Sequence, residues 1–400
     1  MRVLRLSFAW RLGFLYAALF LVVGCYLPYL PIWLSWRSLD ADEIAVLLAA
    51  PLFTRILFTP AISFAADRLG DRRKILIGLA WGSLFSFLLL WAAGGFLTML
   101  LATVLLAINW TTIMPLIETV AVTGIRSRAL DYGRVRLWGS LSFIVASLGA
   151  GFIIGRLSPA VVMPLLVGAT TLMILGLHLL PRELAGSAPK TSPPARGGPK
   201  LTDALALVRA PLFLLFLLAA SFVQTSHALY YTFGSLHWRA QGIPDGAIGA
   251  LWSVGVVAEV ALFAVSGRVI AYCGTARLLM LAGLAATLRW AFMAIDPPFF
   301  ATALLQMLHA MSFGAAHLAA IHFMSHAVPM DRGATAQGLY AAIVAGLVLG
   351  LVTIACGPLY RTFAGGAYGA MAALALFGAA CAYRLMRRWH GGLIIGAVAH

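Results

Sequence analysis

The stretch that decides the fold is Pro115–Phe143, PLIETVAVTGIRSRALDYGRVRLWGSLSF. It joins the end of one apolar segment to the start of the next through a short basic loop. Glu118 lies inside the first segment, and Arg134 and Arg136 open the second. An ionisable side chain at membrane depth costs roughly 2.5–3.5 kcal/mol on insertion scales, so such residues usually face a cavity and mark a substrate or ion path. A Glu and an Arg on adjacent antiparallel helices are natural partners for each other and for a polar ligand. The remainder of the chain reads as a scaffold for that pair.

The composition agrees with a membrane protein. Of 400 residues, 62% are hydrophobic and 10% charged, against roughly 25% charged in a soluble domain. Apolar runs of about 20 residues recur, each long enough to cross ~30 Å of hydrocarbon. The spans read as about 11–34, 42–66, 75–95, 97–125, 133–155, 159–180, 207–234, 245–267, 277–295, 299–327, 333–358 and 366–386. The fold class expected is therefore an all-α integral membrane protein with twelve transmembrane helices in two six-helix bundles. The basic start, MRVLRLSFAWR, is followed by an apolar run without a small-residue cleavage site, so it reads as an uncleaved first helix.

The longest polar break, rich in Pro, Gly, Ser and basic residues, separates six helices from six. The sequence thus divides into a bundle over 1–180, a flexible cytoplasmic linker over 181–206 and a second bundle over 207–400. Net charge is +15, but the basic residues sit in short loops, which is the positive-inside pattern rather than a nucleic-acid surface. Most of the 28 Lys and Arg residues collect on one side of the membrane, which puts both termini and the central loop in the cytoplasm. The four cysteines, Cys25, Cys273, Cys356 and Cys381, lack metal-ligand spacing. No metal and no cofactor is expected.

A second specific stretch is Ser63–Lys74, SFAADRLGDRRK, between the second and third segments. Gly70 permits a tight turn. Asp67 can pair with the loop arginines Arg68, Arg72 and Arg73 or accept hydrogen bonds from elsewhere, forming a latch that breaks and reforms. The stretch resembles the helix 2–3 signature of the major facilitator superfamily, with Ser63 replacing its first glycine. A degenerate second copy, Ser266–Arg277, keeps Gly274 but no acid.

Of the 13 acidic residues, only Glu118 and Glu259 fall deep in apolar segments. Each is about 12–13 Å from the basic end of its helix at 1.5 Å per residue. The buried cations are Arg55, midway along the second segment, and Arg289 in the ninth. A guanidinium stays charged, so each needs a carboxylate or an anionic substrate. His309, His317 and His322 lie on the tenth segment and His227 on the seventh, where imidazoles titrate near neutral pH or serve as helix–helix hydrogen bonds. Gln224, His227 and Tyr231, spaced by three and four, share a helix face with Tyr230 nearby. Together with Gln337 and Tyr340 of the eleventh segment, they either line a cavity or bond between helices.

Along almost its full length the chain resembles the phenylpropionate permease family of the major facilitator superfamily, through YLPYLPIWL, DYGRVRLWGS, SHALYY…LWSVGVVAEV and LQMLHAMSFGAAHLAA. It is more distantly similar to the lactose permease family, which shares the 18-residue spacing of Glu118 and Arg136. That resemblance implies a substrate-binding pair at Glu118 and Arg136, and matches Glu259, Arg289 and His309 to an acid, an arginine and a histidine that couple protons. Two departures matter: Ser312 stands where the sugar carrier has a proton-carrying Glu, and Phe143 where it has a sugar-stacking Trp. Arg55 has no counterpart in the sugar carrier but resembles an arginine of the phenylpropionate branch.

The expectation is a secondary active transporter, not an enzyme, residing as a multi-pass protein in the plasma membrane, the bacterial inner membrane. Its partners are a small-molecule substrate, protons and the lipid bilayer, and it is expected to act as a monomer. The site expected has Arg55 and Arg136 on a substrate carboxylate, Phe143 and Tyr231 on an aromatic ring, and Glu118 orienting Arg136. Gln224 and His227 complete the binding set, while Glu259 carries the proton under the influence of Arg289 and His309. A proton-coupled sugar or nucleoside carrier and a small-molecule exporter are the alternatives.

Overall fold

The structure, a computed structural model, describes residues 7–69, 71–126, 130–181 and 201–394. These residues are almost entirely helical, and no strand occurs among them. The reason is the solvent the composition calls for: in hydrocarbon each backbone N–H and C=O must be satisfied within its own segment, which a helix achieves.

Three of the acids outside the apolar segments start helices. Asp40 and Glu43 form a reciprocal capping box, with Glu43 N–H donating to Asp40 Oδ1 at 2.9 Å and Asp40 N–H to Glu43 Oε2 at 3.0 Å, satisfying two orphan donors at once. Asp71 accepts from Lys74 N–H at 3.1 Å and Asp131 from Arg134 N–H at 3.2 Å. The Lys74 N–H so directed holds the Asp71 carboxyl below its ordinary range.

The first six crossings are α1 (Phe8–Trp36), α2 (Ala41–Leu69), α3 (Arg72–Ala92), α4 and α5 (Phe96–Trp110 and Ile113–Arg126, one crossing broken at Thr111 and Thr112), α6 (Tyr132–Arg156) and α7 (Val162–Leu179). A short helix, α8 (Leu201–Arg209), then precedes α9 (Pro211–Thr225) and α10 (Ala228–Ala240), which form a crossing broken at Ser226 and His227. Next come α11 (Asp245–Ala264), the short α12 (Ser266–Cys273), α13 (Thr275–Met293), and a crossing made of α14 (Phe299–Met307), a π-helical turn at Ala310–Gly314 and α15 (Ala315–Ala327). The chain ends with α16 (Gly333–Ala342), a π-helical stretch at Ile343–Val348, α17 (Leu349–Phe363) and α18 (Tyr368–Arg388).

Among the described residues, eleven helical stretches are long and apolar enough to span a membrane, the last being Met330–Arg388 with 59 residues. At 1.5 Å per residue such a rod would run to roughly 90 Å, three bilayer cores. It is interrupted at Ala364, whose φ of 46° closes α17, so it makes two crossings and the total is twelve. The 181–206 linker expected from sequence lies mostly outside the described residues; its last part is already helical as α8. Asp203 there lies 3.2 Å from Arg332 Nε, tying α8 to the start of α16.

By proximity the chain falls into two units: Met1–Lys190 with Trp238–Ser253, and Thr191–His237 with Val254–His400. In the first, α1 is the central helix, buried along most of its length and packed on α6 and α7. Small residues allow the approach: a Cβ on Gly24 would sit 2.7 Å from Ala146 Cβ and 2.8 Å from the Phe143 carbonyl oxygen. Ser142 donates to the Ala17 carbonyl at 2.6 Å and Ser147 to the Gly24 carbonyl at 3.3 Å, the interhelical hydrogen bonding expected where apolar burial alone gives no drive to associate. Tyr29 Oη lies 2.6 Å from the Ser147 carbonyl and 3.3 Å from that of Asp245, so α11 starts against the α1–α6 seam.

The second unit is built on α9, α13, α15 and α18, with a core containing Phe213, Phe216, Phe323 and an alanine run, Ala315, Ala316, Ala319 and Ala320. Phe216 and Phe323 stack at 4.2 Å. Gly274, at φ 69°, makes the turn between α12 and α13 that a side chain would resist. Large apolar side chains such as Trp81, Phe85, Phe152 and Phe300 are more than half exposed, an outward face suited to lipid rather than water.

Candidate functional site

Each unit holds its own polar cluster. In the first, Glu118 of α5 and Arg136 of α6 meet as their spacing predicts, with Arg136 Nε 3.5 Å from Glu118 Oε1. Tyr132, one turn before Arg136, donates its hydroxyl to the other carboxylate oxygen at 2.7 Å. The guanidinium lies 4.3 Å over Phe20 and 5.5 Å over Tyr16, both on α1, so two ring faces help to hold the charge. A Cβ at Gly139 would come within 2.9 Å of Arg136 Nη1 and of the Phe20 ring; the missing side chain makes room for the arginine to fold back. Both partners keep 28% of their side-chain surface exposed, so the pair is open to a ligand.

Arg55 differs. It is half-buried on α2, between Pro51 and Pro60, and has no hydrogen-bond or ion-pair partner among the described residues. One turn on, Thr59 donates to Thr111 Oγ1 at 3.2 Å, where α4 gives way to α5. Phe143 is buried within α6 beside Gly24, in the interior of the unit.

The second cluster is largely buried and continuous. Arg289 of α13 is fully buried, with Nη1 3.0 Å from His309 Nδ1 and 3.3 Å from Ser312 Oγ, and Nη2 2.5 Å from Gln306 Oε1. Its guanidinium carbon lies 4.4 Å over Trp290 and 4.8 Å over Tyr230. His309 Nε2 lies 4.0 Å from Glu259 Oε2. On the other flank His227 Nε2 is 3.1 Å from Ser312 Oγ, and Trp290 Nε1 donates to Ser226 at 3.1 Å. Tyr231, half-buried, stacks on His227 with centroids 6.0 Å apart. Gln224 lies one turn before His227, its Oε1 buried without a hydrogen-bond partner. His317 lies parallel to Phe313 and His322 stacks on His326.

Of the expected latch, Arg72 donates from Nε and Nη2 to Asp67 Oδ1, at 3.2 and 2.7 Å. Arg73 instead donates to the His178 carbonyl at 2.7 Å, a cation at the carbonyl end of α7. Arg68 covers the Phe64 ring at 4.6 Å, and Gly70 lies outside the described residues.

Sequence reasoning missed two things. The first is Gln306, which precedes His309 and Ser312 by three and six residues, a spacing that would have placed it with them on the Arg289 side of the helix. The other is a pair between His237 Nε2 and Asp296 Oδ1 at 2.7 Å, with Tyr360 Oη 3.4 Å from His237 Nδ1. Its members are far apart in sequence and sit at helix ends, where polar residues are ordinary.

A family model described as the MFS_1 like family matches residues 9–368. The chain belongs to that family. A probable 3-phenylpropionic acid transporter of Escherichia coli (strain K12) is 29% identical over 364 residues, which are 90% of this chain and 93% of that protein. A maltose permease of Geobacillus stearothermophilus is 28% identical, with 88% of each chain covered. The crystal structure of the nucleoside transporter NupG superposes with a TM-score of 0.81 at 16% identity, over 96% of this chain and 99% of that one. The fold is thus the major facilitator fold, and the family and these relatives are membrane transporters, not enzymes.

Proposed function

We propose that this chain is a proton-coupled symporter of a small aromatic monocarboxylate, such as 3-phenylpropionate, working by alternating access. The observation that carries the proposal is Arg55: a permanent cation deep in a membrane segment, without a partner among the described residues. A carboxylate substrate supplies that partner through charge-assisted hydrogen bonds. Arg136, oriented by Glu118, is the second cation of the anion site. Gln224 and Tyr231 belong to the surface that selects an aromatic body; Phe143, expected there from sequence, is enclosed in the interior of the first unit and is not part of it. Glu259 binds the transported proton, and Arg289 and His309 set its surroundings. Asp67, Arg68, Gly70, Arg72 and Arg73 form the conformational latch. The protein resides in the bacterial inner membrane as a monomer with both termini in the cytoplasm.

The full-length likeness to a probable 3-phenylpropionic acid transporter supports the substrate class. The likeness to a maltose permease favours a sugar as the rival. The test is proton movement in proteoliposomes on adding 3-phenylpropionate, in wild type and Arg55→Ala. External alkalinisation that depends on the carboxylate and is lost in the variant is expected. Proton movement with maltose or a nucleoside but not with the carboxylate overturns the substrate assignment.

A further inference from the structure

Two helices of the second unit lose regular hydrogen bonding near one another. The seventh crossing is broken at Ser226 and His227, and the tenth passes through the π-helical turn Ala310–Gly314. Such turns recur at functional sites because they displace one residue from the helical register. Here the residue at the centre of the π turn is Ser312, fully buried, whose hydroxyl touches both His227 Nε2 at 3.1 Å and Arg289 Nη1 at 3.3 Å.

The partners dictate where the protons lie. His227 Nδ1 faces the carbonyls of Val223 and Gln224 at 3.3 and 3.2 Å. Carbonyls only accept, so Nδ1 carries the hydrogen. Nε2 of the neutral ring is then an acceptor, and Ser312 donates to it. The Ser312 oxygen in turn accepts from Arg289. On the opposite arm a guanidinium has hydrogens only to give, so His309 Nδ1 accepts, and its hydrogen lies on Nε2, towards Glu259. Protonating His309 at Nδ1 would set two donors against each other at 3.0 Å. Arg289 thus fixes both rings in defined tautomers and sits between Glu259 and the break in the seventh crossing.

We propose that Ser312 transmits the protonation state of Glu259 to that break, with His227 a positioning residue there rather than a substrate contact. This rests on the reading of Glu259 as the proton site. An ionised Glu259 draws the guanidinium towards His309 and lengthens its bond to Ser312. When a proton binds the Glu259 carboxylate, Arg289 turns to Ser312, which tightens the grip of His227 on the end of α9. The proton enters and leaves at the carboxylate, and no other group changes charge. The groups around the relay are Tyr230 and Tyr231 from α10, Arg289 from α13, His309 and His317 from the tenth crossing, and Tyr368 of α18 stacked on Trp290 at 5.5 Å.

The test is amide hydrogen exchange of residues 223–231 in nanodiscs, corrected for the intrinsic pH dependence of exchange. Between mildly acidic and mildly alkaline buffer, protection in wild type is expected to change about five-fold or more, the low end of site-to-site coupling. Ser312→Ala should abolish that change, Ser312→Thr should restore it, and Glu259→Gln should fix protection at its acidic value. Wild-type protection that ignores pH, or Ser312→Ala behaving as wild type, overturns the proposal; the wild-type and Glu259→Gln measurements decide it even if Ser312→Ala does not fold. Proton movement on adding 3-phenylpropionate is measured on the same preparations. PH-linked protection in a protein that moves no protons leaves the Ser312 relay standing and sinks the symport reading.

Discussion

Replacing Arg55 by Met separates a binding cation from a structural one. Met keeps much of the apolar stem and removes the guanidinium, with its charge and its N–H donors. A charged arginine at membrane depth costs roughly 2.5–3.5 kcal/mol, and Arg55 has no partner among the described residues to offset it. Because the residue is only half-buried, only part of that cost is incurred. The substitution should therefore stabilise the ligand-free protein by about 1–2 kcal/mol, a rise in Tm on the order of a few degrees. The same change removes a charge-assisted hydrogen bond to the substrate worth about 1.5–3 kcal/mol, so KM for 3-phenylpropionate should rise roughly 10- to 150-fold. The assay is thermal denaturation in detergent with and without ligand. A ligand at a hundred times its Kd stabilises wild type by about 2.7 kcal/mol, and the variant at that concentration should gain only about 0.3–1.4 kcal/mol. Arg289→Met is the contrast, since it strands His309, Gln306 and Ser312 in a buried site and should lower Tm. An Arg55→Met protein with lower Tm and an intact ligand shift would refute the reasoning and make Arg55 a structural cation.

Two further outcomes follow from close approaches. A Cβ at Gly249 would lie 2.2 Å from the Ser147 carbonyl oxygen and 2.7 Å from Tyr29 Oη. Gly249→Val should thus push the start of α11 off α1 and α6 at about 1–3 kcal/mol, seen as a lower Tm, while Gly149→Val, which meets nothing within 4 Å, should lose far less. Gly365→Ala brings a methyl to 2.0 Å from Asp296 Oδ1 and 2.7 Å from His237 Nε2, parting that pair. It should lower Tm by more than Asp296→Asn, which keeps the shape of the side chain; equal losses would show that the close approach is not what matters.

The sequence by itself determined the solvent, and the solvent determined the class. Long apolar runs with few charges must be helices where water is absent, and the 18-residue spacing of Glu118 and Arg136 across one antiparallel turn made their contact legible, because only a short loop separates the helices. The caps at Asp40, Asp71 and Asp131 are local too. Tertiary structure decided the rest. Nothing in the spacing of Arg55 distinguishes an arginine without a partner from Arg289, which is wrapped by Gln306, His309 and Ser312 from another crossing. Both are single cations in apolar segments until the neighbours are known. The role of Ser312 depends on a π turn and on a break in a helix more than eighty residues away in sequence. Likewise His237 and Asp296 meet only because three helix ends converge. Long-range hydrogen bonds depend on which faces pack together, and apolar periodicity, nearly uniform around helices that face lipid on one side and protein on the other, does not encode that choice.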